Sequence, residues 1–356
     1  MITLYITSID DYAGKTALAI GLGKHLQRDG YVVGYMKPFT ARVGQAGDQA
    51  MVQDTEFVYE ELSLADPRED IMPLVLTPQR IEEAIQSPQA DAFVRQLQAA
   101  YKRVSTGKDI VILEGEGYPL QGALFDLSSP QVAEQLDAQV LAVVKYVDNL
   151  SIDAAAGLRM IYGDRLIGAV INSVPRSHMR FVQQIAKPAL EARDIPVFAV
   201  LPEERLLSSI SVQELADRLG GQIVCCEEQT EALVEYLMVG AMTAGSAITY
   251  FRRRPNKAVI TGGDRADVQL AALETSTRCL ILTGGQQPGT VVMNRAKEVG
   301  VPIIVAEGDT MTTVQTIQQF FGKTSLHQTK KSAHFANILE ERFEFARFYD
   351  ALGLEA

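Results

Sequence analysis

The chain has 356 residues, of which 47% are hydrophobic and 22% charged, and a formal net charge of −11. That length suits about two domains, and the composition is that of an ordinary globular protein. The acidic balance speaks against a nucleic-acid partner, because phosphate backbones demand clustered Lys and Arg.

The first element is a short β-branched run, ITLYITS, that leads through IDDYAGKT into a helix over 15–28. A strand, a turn carrying Gly14-Lys15-Thr16 and a helix form the layout of a phosphate-binding loop. There, loop N–H groups and the helix N-terminus cradle phosphates, the lysine neutralises their charge, and the threonine hydroxyl reaches a magnesium ion. The usual first glycine falls at Ser8, where a Cβ predicts modest strain, and Asp10 and Asp11 add negative charge to the loop. Two readings follow: a working loop, or an inherited fold with a silent site.

VVGYMKPF then reads as a second strand that ends at Lys37-Pro38. Lys37 there either points a second ammonium into the cleft or is an exposed strand-end lysine. A polar, partly helical insertion at about 45–105 contains Asp54, and the strand DIVILEGEG delivers Glu114 at its carboxyl end. Thr16, Asp54 and Glu114 together make an oxygen-ligand set of the kind that holds magnesium. VLAVVKYV, a helix near 151–162, LIGAVINSV, a helix over 178–193 and IPVFAVLP complete the first two hundred residues. Short apolar runs separated by helices predict a doubly wound α/β domain with a parallel sheet, its ligand at the carboxyl edge of the strands.

A second unit begins after about residue 207. SVQELADRLGGQIV reads as a helix and a strand, and EALVEYLMVGAMTAGSAITYF as one long helix whose end carries Arg252-Arg253-Arg254, solvated and favoured by the helix dipole. AVITGGDRADVQLAAL and CLILTGGQQPGTVVMNRA are each a strand, a Thr-Gly-Gly turn and a helix, and VPIIVAEGDT repeats the scheme with a Gly-Asp-Thr turn. The tail from about 326 to 356 is polar and then aromatic, with Phe335, Phe343, Phe345, Phe348 and Tyr349 expected as docked core. Cys225, Cys226 and Cys279 fit no disulfide framework and are expected as buried thiols of a reducing compartment. The N-terminus has neither the basic flank nor the long apolar core of a signal peptide, and no apolar run reaches the ~20 residues that span a bilayer; the expected location is cytoplasmic.

Residues 1–207 resemble the dethiobiotin synthetase-like branch of phosphate-loop proteins, whose loop has the Ser8-to-Gly14 spacing before the Lys-Thr pair. The resemblance implies an ATP site built from Gly14, Lys15, Thr16 and Ala17, and magnesium held by Thr16, Asp54 and Glu114. It also implies Lys37 facing an activated carboxylate, Lys15 and Lys37 as the catalytic pair, and Asn172 as the residue that recognises adenine. Ser8, Asp11, Ala41 and the segment GEGYPLQG depart from that branch. Residues 208–325 resemble the DRTGG domain, an α/β domain that implies a polar centre at Gly263, Asp264, Arg265 and Asp267, with Thr310 and Thr312 as a facing hydroxyl pair. The alternative for Arg265 is a structural ion pair holding a turn.

That order of domains is similar to the N-terminal half of long phosphate acetyltransferases, without the acyltransferase domain. The resemblance implies a regulatory, Mg-ATP-binding protein that assembles with itself or with a separate acyltransferase and does not itself transfer acetyl groups. Two further readings stand beside it. One is an ATP-dependent carboxylate-activating ligase of the dethiobiotin synthetase or cobyrinic acid diamide synthase type. The other is an oligomer scaffold with a silent loop.

Overall fold

The computed structural model describes residues 1–41, 48–87, 89–322, 326 and 328–354, with the backbone alone over 48–53. The start of the insertion expected at about 45, and the domain end expected at 325, lie outside those residues. Two compact units emerge, Met1–Glu203 with Ser325–Ala356, and Glu204–Thr324.

In the first unit, six strands form one parallel sheet: β1 (Ile2–Ser8), β2 (Val33–Met36), β3 (Ile110–Glu114), β4 (Gln139–Lys145), β5 (Leu166–Val174) and β6 (Val197–Pro202). Their order is β2-β3-β1-β4-β5-β6. The chain starts in the middle and winds outward both ways, so the edge beside β1 is where the winding reverses and a ligand crevice opens. Apolar runs such as IVILE are buried on both faces, as a parallel sheet under two helical layers requires. Helix α1 (Lys15–Arg28) follows β1 directly, and α2 (Asp48–Glu61) lies in the insertion. The segment expected as one helix over 178–193 is helical but changes pitch, with a π-helical turn at Val182–Ala186.

The chain's last helices belong to this unit and do not stand apart as a tail. Thr329–Arg342 packs on α1, where a Cβ on Gly21 would come within 2.7 Å of Leu339. Glycine on that face lets the two helices approach closely. Phe348 is fully buried and meets Phe198 of β6 edge-on, with ring centroids 5.5 Å apart. His25 of α1 stacks on Phe345 with a centroid distance of 3.4 Å, and its Nδ1 lies 2.7 Å from Glu340. The expected docking of the aromatic tail is thus realised on the helix that begins at the phosphate loop.

In the second unit, β7 (Ile210–Ser211) pairs with β9 (Leu233–Val234) apart from the main sheet. The main sheet comprises β8 (Gln222–Cys225), β10 (Tyr236–Val239), β11 (Lys257–Gly262), β12 (Thr277–Thr283) and β13 (Ile303–Val305), in the order β10-β11-β12-β13-β8. All pairings are parallel except β13 with β8. Helices Ala244–Phe251, Ala266–Leu273 and Thr290–Val299 cover one face, and Val212–Leu219 and Thr310–Phe320 the other. The long helix expected over 231–251 is corrected here: its first half forms β9 and β10, and only Ala244–Phe251 is helical. Val234, Tyr236 and Val239 favour a pleated backbone, and Gly240 must be small because a Cβ would meet Val268 at 2.5 Å. All three cysteines are buried, and burial pushes the Cys226 thiol up to about 12. No described helix is long and apolar enough to cross a membrane.

If the C-terminal aromatics are core, Phe348→Ala should cost about 3–5 kcal/mol, the usual penalty for emptying a buried aromatic site. Urea denaturation measures this directly; a loss within about 0.5 kcal/mol, typical of surface changes, would mean that the tail is peripheral.

Candidate functional site

β1 ends in Ser8, fully buried, and the chain crosses to α1 through six residues. The strain expected at Ser8 is absent: Ser8 lies in the strand, and the left-handed residues of the loop are Tyr12 at φ 53° and Gly14 at φ 104°. The Ser8 hydroxyl accepts from Lys15 Nζ at 2.7 Å and donates to the Asp10 carbonyl at 2.6 Å. It therefore anchors both the lysine and the bend. Gly14, at the N-cap of α1, has no side chain with which to cap the first turn, which opens with Lys15, Thr16 and Ala17. The N–H groups of a helix's first turn and the positive end of its dipole make an anion-binding terminus.

Lys15 is buried, and that burial lowers its affinity for a proton; Lys37 adds to the effect, while Glu114, Glu116 and Asp11 oppose it. The nearest carboxylates come from β3 and the residues after it. Thr16 Oγ1 donates to Glu114 Oε1 at 2.7 Å, and Tyr35 donates to the other Glu114 oxygen at 2.9 Å. Two residues further along both strands, Lys37 Nζ stands 3.3 Å from Glu116 Oε2, with the two side chains 3% and 1% exposed. Alternate residues of an extended chain share a face, so Tyr35 and Lys37 lie together and reach Glu114 and Glu116; Tyr35 itself pairs with Ile112, two residues before the carboxylate it meets. Burial disfavours the Lys37 ammonium, yet Glu116, Glu114 and Asp54 together hold it above the ordinary lysine value. The Tyr35 phenol is likewise pushed well up by burial and by Glu114.

Asp54 of α2 is near enough for its charge to act on both Tyr35 and Lys37. Thr16, Glu114 and Asp54 are hard oxygen donors, and the first two already touch. Among the described residues no three acidic, histidine or cysteine side chains assemble a metal cage. Oxygen donors of this kind are the ligand type magnesium takes, alongside waters and substrate phosphates. Asn172 lies at the end of β5, where its Nδ2 donates to the Ala13 carbonyl at 2.8 Å and its Oδ1 accepts from Ser173 N at 2.8 Å.

The structure thus gathers Lys15, Thr16, Lys37, Glu114 and Asn172 around the loop, with Asp54 close by. Sequence reasoning missed Glu116, Tyr35 and the positive role of Ser8. The Glu-Gly-Glu run after an apolar strand was the available signal, because it places two carboxylates on one face.

In the second unit, the turns after β11, β12 and β13 are tied together. Gly263 N donates to Thr283 O at 3.2 Å, Gly284 N to Gly308 O at 2.8 Å and Gly285 N to Ala306 O at 3.0 Å. Gln269, fully buried, donates to the carbonyls of Gly262 and Gly263. Arg265 pairs with Asp267 at 3.1 Å and donates to Met242 O at 3.0 Å, and that bond holds the Asp267 carboxyl below its usual range. Asp264 sits beside Gly262, where an added Cβ would come within 2.5 Å of its Oδ1. Thr310 and Thr312, expected as the hydroxyl pair facing this centre, take different partners. Thr310 partners Thr283 at 2.8 Å, and Thr312 gives its N–H to the capping carboxylate of Asp309 at 2.7 Å.

Comparison with known proteins follows these two units. Curated relatives include the phosphate acetyltransferase of Nitratidesulfovibrio vulgaris, 24% identical over 347 residues that cover 92% of this chain and 48% of the relative. That of Pseudomonas putida is 21% identical over 372 residues, covering 99% of this chain and 52% of the relative. The chain therefore spans about half the length of these relatives and matches their N-terminal half. Among solved structures, the CBS and DRTGG regulatory region of a Clostridium perfringens pyrophosphatase, complexed with its activator diadenosine tetraphosphate, is 24% identical with a TM-score of 0.30. It covers 34% of this chain and 50% of that chain. The DRTGG domain profile matches residues 214–320. With the AAA domain profile matching residues 2–211, over half of its length, the chain belongs to the AAA domain family of phosphate-loop proteins and carries a DRTGG domain after it.

Proposed function

We propose that this chain is a nucleotide-binding regulatory protein: the first unit takes a magnesium nucleotide, and the DRTGG unit serves sensing or assembly. The observation that carries this reading is the phosphate loop itself, with a glycine at the helix N-cap and a buried lysine held by the Ser8 hydroxyl at 2.7 Å. Lys15 and the N–H groups of Gly14, Lys15, Thr16 and Ala17 would bind the phosphates. Thr16, Asp54 and Glu114 would hold magnesium, which supplies charge neutralisation between the phosphate oxygens. Lys37 argues for binding over turnover. Its ammonium is already neutralised by Glu116 at 3.3 Å in a buried pocket, leaving little net charge for a second substrate's carboxylate.

The ligase reading keeps one observation in its favour: Lys15, Thr16, Lys37 and Glu114, the residues such chemistry needs, lie together at the carboxyl edge of the sheet. In that case Lys37 would steady a carboxylate during in-line phosphoryl transfer, and Lys37→Ala would depress turnover far more than nucleotide affinity. Self-association and a separate acyltransferase partner belong to the regulatory proposal, and light scattering of the purified chain reads the first.

Titration calorimetry with Mg-ATP should detect binding to the wild-type protein. Lys15→Ala should weaken it by about 30- to 100-fold, the loss of a charge-assisted contact worth roughly 2–3 kcal/mol. Steady ADP release in the presence of a carboxylate would overturn the regulatory reading in favour of the ligase. The buried pair makes a separate test. Lys37→Met or Glu116→Gln alone should destabilise the fold by about 3–5 kcal/mol by leaving an uncompensated partner, and the double variant by distinctly less. Additive losses in a double-mutant cycle would show that the two side chains do not interact.

A further inference from the structure

The end of β5 is irregular. Ile171 pairs with Val200 and Val174 with Pro202, so three residue steps on β5 oppose two on β6, and one residue bulges. Ser173 within the bulge takes a left-handed φ of 60°, a conformation that costs energy for any residue with a side chain. Bulges of this kind re-aim side chains beside functional sites.

What the bulge aims here is the Asn172 amide. On the β4 side the strand is still regular: Lys145 pairs with Asn172, and Tyr146 N donates to Asn172 O at 2.8 Å. From that fixed backbone the side chain crosses to the phosphate loop, donating to Ala13 O at 2.8 Å. Its Oδ1 accepts from Ser173 N at 2.8 Å, which offsets the strained φ. The amide also lies against Gly14, where any Cβ would sit 2.5 Å from Nδ2. Asn172 is itself buried, at 8% exposure. Its two polar ends thus join the bulge to the peptide immediately before the Gly14-Lys15-Thr16 turn.

We propose that Asn172 is a positioning residue for the phosphate loop, so that nucleotide affinity depends on it through the phosphates and not through the base; this rests on the reading that the first unit binds a nucleotide. The bulge, the left-handed Ser173 and the glycine at 14 are parts of one device. It holds the Ala13 carbonyl away from the anion site and leaves the helix N–H groups pointing at it.

The test compares the wild-type chain with Asn172→Ala and with Asn172→Asp, which keeps the shape but has no donor for Ala13 O. Each is titrated with Mg-ATP, Mg-GTP and Mg-tripolyphosphate, the last having phosphates and no base. Hydrogen exchange of the loop peptide is followed without ligand. Both variants should lose about tenfold in affinity for all three ligands, with the ATP-to-GTP ratio unchanged. Their ligand-free loop should exchange faster, while peptides from β1 and β6 keep wild-type protection. Tripolyphosphate affinity that stays at the wild-type level while ATP affinity falls, or a shifted ATP-to-GTP ratio, would make Asn172 a base reader and overturn the proposal. If the wild-type protein binds none of the ligands, the nucleotide reading fails. The exchange arm then decides alone, and unchanged loop protection in both variants sinks the positioning role.

Discussion

Charge buried at the carboxyl edge of the first sheet is the constraint around which the rest is arranged. Lys15, Lys37, Glu114 and Glu116 are all nearly inaccessible to water, and none of them could stay ionised there alone. Each carboxylate is answered by a neighbour: Glu114 accepts from Thr16 and Tyr35, and Glu116 is ion-paired with Lys37. Lys15 is the exception, because its contact is a neutral hydroxyl. Burial lowers its proton affinity, whereas carboxylates raise that of Lys37. The two lysines therefore differ in kind. One has a neutral hydroxyl as its direct contact at the start of the helix, and the other is ion-paired with Glu116. An approaching phosphate would improve the surroundings of the first and compete with Glu116 for the second.

The scaffold carrying this edge depends on both ends of the chain. α1 leaves the phosphate loop and is covered by the helix Thr329–Arg342, with Gly21 permitting the close approach to Leu339 and Phe335. Beyond it, Phe343, Phe345 and Phe348 form a chain of ring contacts running from β6 to His25. The ion pairs around them, Arg28 with Glu340 and Arg347 with Glu191, are partly exposed, and pairs of that sort contribute little each. Aromatic burial therefore carries the attachment, and the charged groups set its register. The helix that presents the phosphate site is in this way stiffened by residues more than three hundred positions away.

In the second unit the three glycine-containing turns serve first to tie strand ends together. The N–H groups of Gly263, Gly284 and Gly285 are spent on neighbouring carbonyls, and Gln269 donates to the carbonyls of Gly262 and Gly263. Arg265 and Asp267 form a partly exposed ion pair where the turn after β11 enters the following helix. The buried core lies on both faces of a sheet whose strands are three to seven residues long. Short strands of this length are stable because helices cover both sides, and neighbouring turns gain by being linked.

Much of this was legible in the amino-acid order. Apolar runs spaced by helical segments specify a parallel sheet wherever they fold, and Gly14-Lys15-Thr16 after a strand specifies an anion-binding helix start, since both depend on local periodicity and backbone chemistry. The doubly wound class, the position of Glu114 at a strand end and the burial of the cysteines follow from such local rules. Other features depend on which distant segments meet. Val234 to Val239 read as helix because apolar residues in a short run have no distinguishing period, and only pairing with β11 made part of them a strand. Glu116 became the partner of Lys37 because β2 and β3 lie side by side and both residues come just after the paired strands. The Asn172 amide reached Ala13 because β5 bulges against β6, a consequence of strand pairing that no stretch of β5 contains by itself. Local sequence decided where an anion could be bound; the tertiary structure decided which charges stand beside that place and what holds the loop open, because those are contacts between segments far apart in the chain.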